Sequence, residues 1–411
     1  MNTNVYTSLF TSVNYKDVTF VIKRIIVKEN YQDLFEKFSV SGLVGRYFPP
    51  QKLDDIEKYF VRFDKKMLGY SVEKRPIVLY RLGRGANKIL IWSQMHGNES
   101  TTTKALLDLM RVLDDHQNPF SSNILSACTL YIVPMLNPDG AQKYTRFNAA
   151  DVDLNRDAQA LSQPESRLLN DLYHQIQPDF CFNLHDQRSI FSAGPTCKPA
   201  TLSFLTPASD EARSINPSRI SSMQLIASVN KTLQAFIPCQ VGRYSDAYNI
   251  NCVGDTFQSL GTATLLFEAG HFPGDYQREK TRFYVFVALC AALERISDST
   301  YKSFSVSDYF DIPANEERFL DIIYRGLLLK DGSSFDIGIQ YKEVLIDNHV
   351  VFQPYIVKIG NLQNRCGHES YNLEMQTALE KDHLEALLNQ KATLVINKNV
   401  KILNGMLFHC V

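Results

Sequence analysis

The sequence predicts an α/β fold, a mixed and mostly parallel sheet flanked by helices, followed by a smaller β-rich module. Three observations carry this. Apolar runs at 88–92, 129–133, 180–184 and 263–267 are nearly continuous, as strands buried on both faces are. Longer segments with helical spacing alternate with them. After Ser297 that alternation gives way to closely spaced strand-like runs.

In chain order, residues 1–65 read as an N-terminal extension with helical pieces at 33–38 and 53–60, the second preceded by Pro49-Pro50. Strands are expected at 76–80 and 88–92, separated by Gly83-Arg84-Gly85. A helix over 101–113 starts from Ser100 as its cap. Strand 129–133 leads into a turn at Asn137-Pro138-Asp139-Gly140. Helix 164–176, strand 180–184, helix 223–236, strand 263–267 and helix 277–296 complete a domain over residues 66–297. Residues 298–411 form the β-rich module, with strands at 334–339, 342–346 and 350–359.

The 411-residue chain is long enough for a large core and a second module. Its 43 basic and 44 acidic residues nearly cancel, so neither nucleic acid nor an anionic membrane is the expected partner. No apolar run reaches the length of a membrane span. Eight cysteines contain no Cys-x-x-Cys pair, and Cys128, Cys181 and Cys290 sit in apolar runs as buried free thiols would. The even count leaves room for disulfides. The polar stretch Met1–Thr19, with Lys16 and Asp17, does not read as a secretory signal, so the expected location is the reducing cytoplasm.

Four short stretches carry chemistry. His96 and Glu99 follow the 88–92 strand where the chain turns into a helix, and three residues of separation lets imidazole and carboxylate converge on one ion. His185 ends the 180–184 strand and supplies the third ligand of an open site. Glu268 ends the 263–267 strand, where burying a carboxylate is costly unless it is used. In Asp153-Leu154-Asn155-Arg156, the guanidinium matches a carboxylate and Asp153 could orient a ligating histidine. Taken singly, each stretch is also compatible with a structural histidine, a solvent-facing carboxylate or an ordinary polar loop.

In this order the stretches resemble the zinc carboxypeptidase family of metallopeptidases, including its shorter bacterial and acylase-like branches, over about residues 66–297. The resemblance runs from Gly69-Tyr70-Ser71 through His96-Gly97-Asn98-Glu99, Asn137-Pro138-Asp139-Gly140 and Asp151-Val152-Asp153-Leu154-Asn155-Arg156 to His185 and Glu268. It implies one Zn²⁺ held by His96, Glu99 and His185, Glu268 as general base and acid, and Asp153 supporting His96. It further implies Arg146 at the oxyanion and Asn155 and Arg156 on the terminal carboxylate of a peptide. Tyr244 or Tyr248 would cover the substrate. Asp255 would either favour a basic terminal side chain or serve as a turn residue after Gly254. Asp186 stands where the family has an aromatic partner to the second histidine.

The implied activity is metallocarboxypeptidase hydrolysis of a C-terminal peptide bond. The alternative is an N-acyl amino-acid amidohydrolase of the aspartoacylase type, using the same metal, base and arginine on a smaller substrate. A catalytically silent binding module and a purely structural zinc site are the remaining readings. The first would keep the ligands without turnover, and the second would need a fourth Cys or His ligand.

Overall fold

The structure is a computed structural model that describes residues 30–329, 332–376, 386–397 and 400–409. Residues Met1–Thr19 and Cys410 lie outside these. The large sheet has eight strands: β1 (Asp64–Tyr70), β2 (Pro76–Gly83), β3 (Asn87–Ser93), β4 (Cys128–Val133), β5 (Phe180–Asp186), β7 (Leu202–Leu205), β8 (Val241–Arg243) and β9 (Ala263–Ala269). Their order is β1-β2-β4-β3-β5-β9-β7-β8. The central run β4-β3-β5-β9 is parallel throughout, while β2 and β7 join it antiparallel.

The apolar runs make this sheet because both faces are covered. Along β3, Ile89 and Ile91 enter one core while Leu90 and Trp92 enter the other. Over the first face lie α1 (30–38), α3 (Thr101–Asp114), α4 (Pro119–Ala127), α7 (Pro217–Leu233) and α9 (Glu279–Ser297). Over the second lie α6 (Pro164–Ile176) and α8 (Val253–Ser259). The first core also takes in Tyr31, Phe38, Phe48 and Phe63 before β1, and Tyr301, Tyr309 and Ile312 after α9.

Local readings are corrected in four places. Ser100 precedes α3 but makes no side-chain cap; its hydroxyl donates to the Arg46 carbonyl instead. Asn137-Pro138-Asp139-Gly140 opens the helix α5 (Pro138–Lys143), with Asn137 Oδ1 accepting from Gly140 N–H at 2.8 Å and proline at the first helical position. Gly254 and Asp255 lie in the first turn of α8, not in a turn between elements. The runs 334–339 and 342–346 form one strand.

That strand is β12 (Ser334–Ile346), in a four-stranded sheet ordered β13-β12-β11-β14 with β11 (Phe319–Leu328), β13 (His349–Gly360) and β14 (Cys366–Gln376). Its apolar face, with Ile322, Phe335, Ile337 and Ile356, packs in a separate core with Leu394, Ile396 and Ile402 from β15 (Leu394–Asn397) and β16 (Val400–Leu403). Strand β17 (Met406–His409) completes that small sheet.

This module is joined to the large sheet by a two-stranded ladder. Strand β6 (Phe191–Ala193), just after β5, pairs with β10 (Asn315–Glu317). A disulfide between Cys197 and Cys366 closes the same seam. Cys128, Cys181 and Cys290 are buried free thiols, as their apolar surroundings suggest. Among the described residues no helix is long and apolar enough to cross a membrane.

Candidate metal centre

The site lies at the carboxyl ends of the parallel strands, where open α/β sheets present their ligands. Strand β3 ends at Ser93, and the chain turns sharply through Gln94 (φ 49°) to deliver His96 and Glu99 ahead of α3. Two glycines make this turn possible. A Cβ on Gly97 would meet the Gly140 carbonyl carbon at 1.9 Å, and one on Gly140 would meet the Phe147 carbonyl oxygen at 2.6 Å. The two loops therefore pack backbone to backbone. Asn137 Nδ2 also donates to the Met95 carbonyl, and Asn98 N–H donates to Thr145 O.

His96, Glu99 and His185 are buried, and one ligand atom from each lies within 4.8 Å of the others. His96 Nδ1 is 2.8 Å from Glu99 Oε1, His185 Nδ1 is 2.9 Å from Glu99 Oε2, and the two Nδ1 atoms are 3.2 Å apart. His96 Nε2 lies 3.0 Å from Asp153 Oδ1 and donates to it, which leaves the Nδ1 lone pair pointing into the cluster. Lone pairs gathered at such distances repel unless a cation joins them. Two imidazole nitrogens and one carboxylate are a donor set that suits Zn²⁺ with an open fourth position.

Electrostatics agree. Burial pulls the His96 imidazole down, but Glu99 and Asp153 outweigh it and its pKa rises. Burial pushes the Glu99 carboxyl up, yet His96 and His185 hold it well below the usual range. Glu268 is directly opposite His185 in the β5–β9 register. Its carboxyl is raised well above the usual range, first by burial and then by the charges of Glu99 and Asp186.

Asp153 does more than the sequence assigned to it. One oxygen takes the His96 bond and the Asn155 N–H at 2.9 Å, while the other accepts from Arg146 Nε at 3.1 Å and Nη2 at 3.0 Å. That fork leaves Arg146 Nη1 3.2 Å from His96 Nδ1 and 3.4 Å from Glu99 Oε1, at the edge of the donor set.

The other predicted residues form two groups. Asn155 Oδ1 accepts from Val253 N–H at 3.3 Å, and Arg156 is exposed, its guanidinium donating to the Asn155 carbonyl at 2.9 Å. Asp255, buried in α8, is raised to about 6 by burial and feels the Arg156 charge. Tyr248 feels the Asp255 charge on this side. Tyr244 belongs to the other side of the centre. Its ring lies 5.3 Å from that of Phe191, and burial together with Glu268 and Glu99 pushes its phenol up.

The capping role of Asp186, and Arg278 altogether, escaped the sequence reading. Thr101 and Thr102 N–H donate to Asp186 Oδ2 and Oδ1 at 3.0 and 3.2 Å, so this carboxylate caps α3 from across the sheet. Its own N–H donates to Glu99 Oε2 at 3.1 Å. Arg278, buried at the start of α9, donates to the carbonyls of Ala269 and Gln187 and lies 3.6 Å from Asp186. It thus ties together the ends of β5 and β9. The signal for the cap was the carboxylate directly after His185, but its partners lie 85 residues away in sequence.

Residues 51–179 match the zinc carboxypeptidase family. His96, Glu99, Arg146, Asp153 and Arg156 all fall inside that match, which lies within the first part of the chain. His185 and Glu268 lie beyond it and are brought in by β5 and β9. Carboxypeptidase 2 of Trichophyton tonsurans is 28% identical over 116 residues, which are 28% of this chain and 21% of that protein. Carboxypeptidase SOL1 of Arabidopsis thaliana is 30% identical over 126 residues, covering 25% of this chain and 24% of that one. The chain thus spans about a fifth to a quarter of the length of these relatives. A metallo-carboxypeptidase from Burkholderia cenocepacia shares the fold, with a TM-score of 0.51 at 21% identity over 62% of this chain and 70% of its own.

Proposed function

We propose that this zinc carboxypeptidase domain hydrolyses the C-terminal peptide bond of a peptide, with one zinc ion held by His96, Glu99 and His185. The observation that carries the reading is the convergence of two imidazole Nδ1 atoms and the Glu99 carboxylate, with Glu268 in register beside His185. When bound, zinc polarises the scissile carbonyl and lowers the pKa of water in its open position.

The chain's own residues do the rest. Arg156, exposed beside the centre, takes the substrate's terminal carboxylate in a two-pronged grip, and Asn155 has its amide nitrogen left to donate to the same group. This fixes which bond reaches the centre. Glu268 removes a proton from the attacking water and returns it to the departing amine; a carboxyl raised by burial is suited to carry that proton. Arg146, held by Asp153, donates to the scissile oxygen as charge builds there, a contribution of about 3 kcal/mol. Tyr244 on one flank and Tyr248 on the other close over the substrate.

The test is hydrolysis of short peptides and N-acyl amino acids by the zinc-loaded protein, with Glu268→Gln as control. Release of C-terminal residues that disappears in the variant is the expected result. Cleavage of acyl amino acids alone, or activity surviving in Glu268→Gln, would overturn it.

A further inference from the structure

Nothing in the proposed chemistry uses the C-terminal module, yet it touches both loops that flank the metal centre. Beyond Ile339, strand β12 leaves β11 and pairs only with β13. From this stretch Gln340, Tyr341 and Glu343 contact the large domain. Gln340 Nε2 donates to Ser189 Oγ at 2.9 Å, four residues past His185. Glu343 accepts from the hydroxyl of Tyr144, two residues before Arg146, and pairs with Arg46 at 2.9 Å. Three residues of strand span roughly 10 Å. One strand thus bridges the loop after a zinc ligand and the loop that carries Arg146.

The bridge is firmly seated. Asp321 on β11 is fully buried and accepts from Ser189 Oγ at 3.0 Å, Tyr276 OH at 2.9 Å and Tyr341 N–H at 2.7 Å. His368 on β14 donates to the Ser189 carbonyl at 2.8 Å. Tyr341 and Phe352 pack on Tyr276 with ring centroids 5.2 and 5.4 Å away. A single side chain, Arg278, feels the charge of Glu343 and in turn bears on Glu268. The carboxylate-gripping end, by contrast, is built from residues 153–156 and the loop and helix around Tyr248 and Asp255.

The geometry points to β12 as a wall across the acyl side of the cleft, opposite Arg156, that restricts the enzyme to short peptides. We infer that the substrate class is small peptides with a free C-terminus, not the ends of long chains. This rests on the carboxypeptidase reading and deepens it.

The test is a ladder of peptides sharing one C-terminal residue, with acyl sides of about one to five residues, each adding about 3.5 Å when extended. It is run on the full zinc-loaded chain. The expected result is a fall in kcat/KM of at least about tenfold between the short and long rungs, with the length penalty reduced in Gln340→Ala, which removes the β12 contact to Ser189 without touching the chemistry. A thermal melt and activity on the shortest rung show whether that variant is intact, and Glu343→Gln gives a second opening of the same wall. A flat ladder in the native protein would overturn the wall alone. A steep ladder unchanged in both variants would overturn its assignment to β12. No release from any rung would overturn the carboxypeptidase reading beneath it.

Discussion

Two buried carboxylates nine residues apart, Asp108 in α3 and Glu99 just before it, show what separates a structural site from a reactive one. Asp108 is fully matched. Its two oxygens accept from Arg282 Nη2 and Nε at 2.7 Å each, and from Val40 N–H at 2.8 Å. Glu99 faces two imidazole Nδ1 atoms at 2.8 and 2.9 Å, and the His96 ring spends its proton at Nε2 on Asp153. The first cluster carries its own cation and clamps residues 40–43 against the helices. The second gathers lone pairs and leaves the cation to be supplied.

That contrast can be broken from either side. The largest effect is expected for Glu268→Gln, which should lower kcat by about 10² to 10⁴ while zinc binds with the same stoichiometry, read by steady-state kinetics and metal analysis. In the matched cluster, Asp108→Ala should cost about 3–5 kcal/mol of stability, because it strands the buried Arg282 charge; urea unfolding measures it. Zinc should not rescue that loss, whereas it should stabilise the native chain.

A third carboxylate, Asp321, sharpens the comparison through pH. Burial raises Asp321 to about 6, above the unfolded value near 3.9. The folded state then holds the extra proton between those values. Its contribution to stability is complete below about pH 4 and is lost as the pH rises through 6. Relative to Asp321→Asn, the native protein should lose about 2–3 kcal/mol between pH 4 and 7, measured by unfolding at both ends. An unchanged difference would mean that Asp321 is ionised throughout, held by its donors. The smallest effect is expected for Asp153→Asn, a 10- to 100-fold loss of zinc affinity by equilibrium titration, because the amide can no longer hold the His96 tautomer as well.

The readable parts were those whose signal is local. Buried strands announce themselves by unbroken apolar runs, and His96, His185 and Glu268 stand at or just past the ends of such runs, so the centre could be assembled from chain order. What escaped depends on distant partners. Ser100 has the right chemistry for a cap, but Asp186 from β5 occupies those amides first. Gly254 suggested a turn, yet α8 packs Val253 and Phe257 into the second core and tertiary burial decides the helix. No spacing pairs Cys197 with Cys366 across 169 residues. The bridge of β12 rests on Gln340 and Glu343, which look like ordinary polar residues until the fold sets them against Ser189 and Tyr144.

The most direct test is a zinc titration of the native chain beside Glu99→Gln and His185→Ala, with peptide hydrolysis followed in the same samples. Expected are one ion per chain, C-terminal residue release that appears with the ion, and loss of both in either variant. Zinc binding unchanged in those variants, or hydrolysis indifferent to zinc, would contradict it.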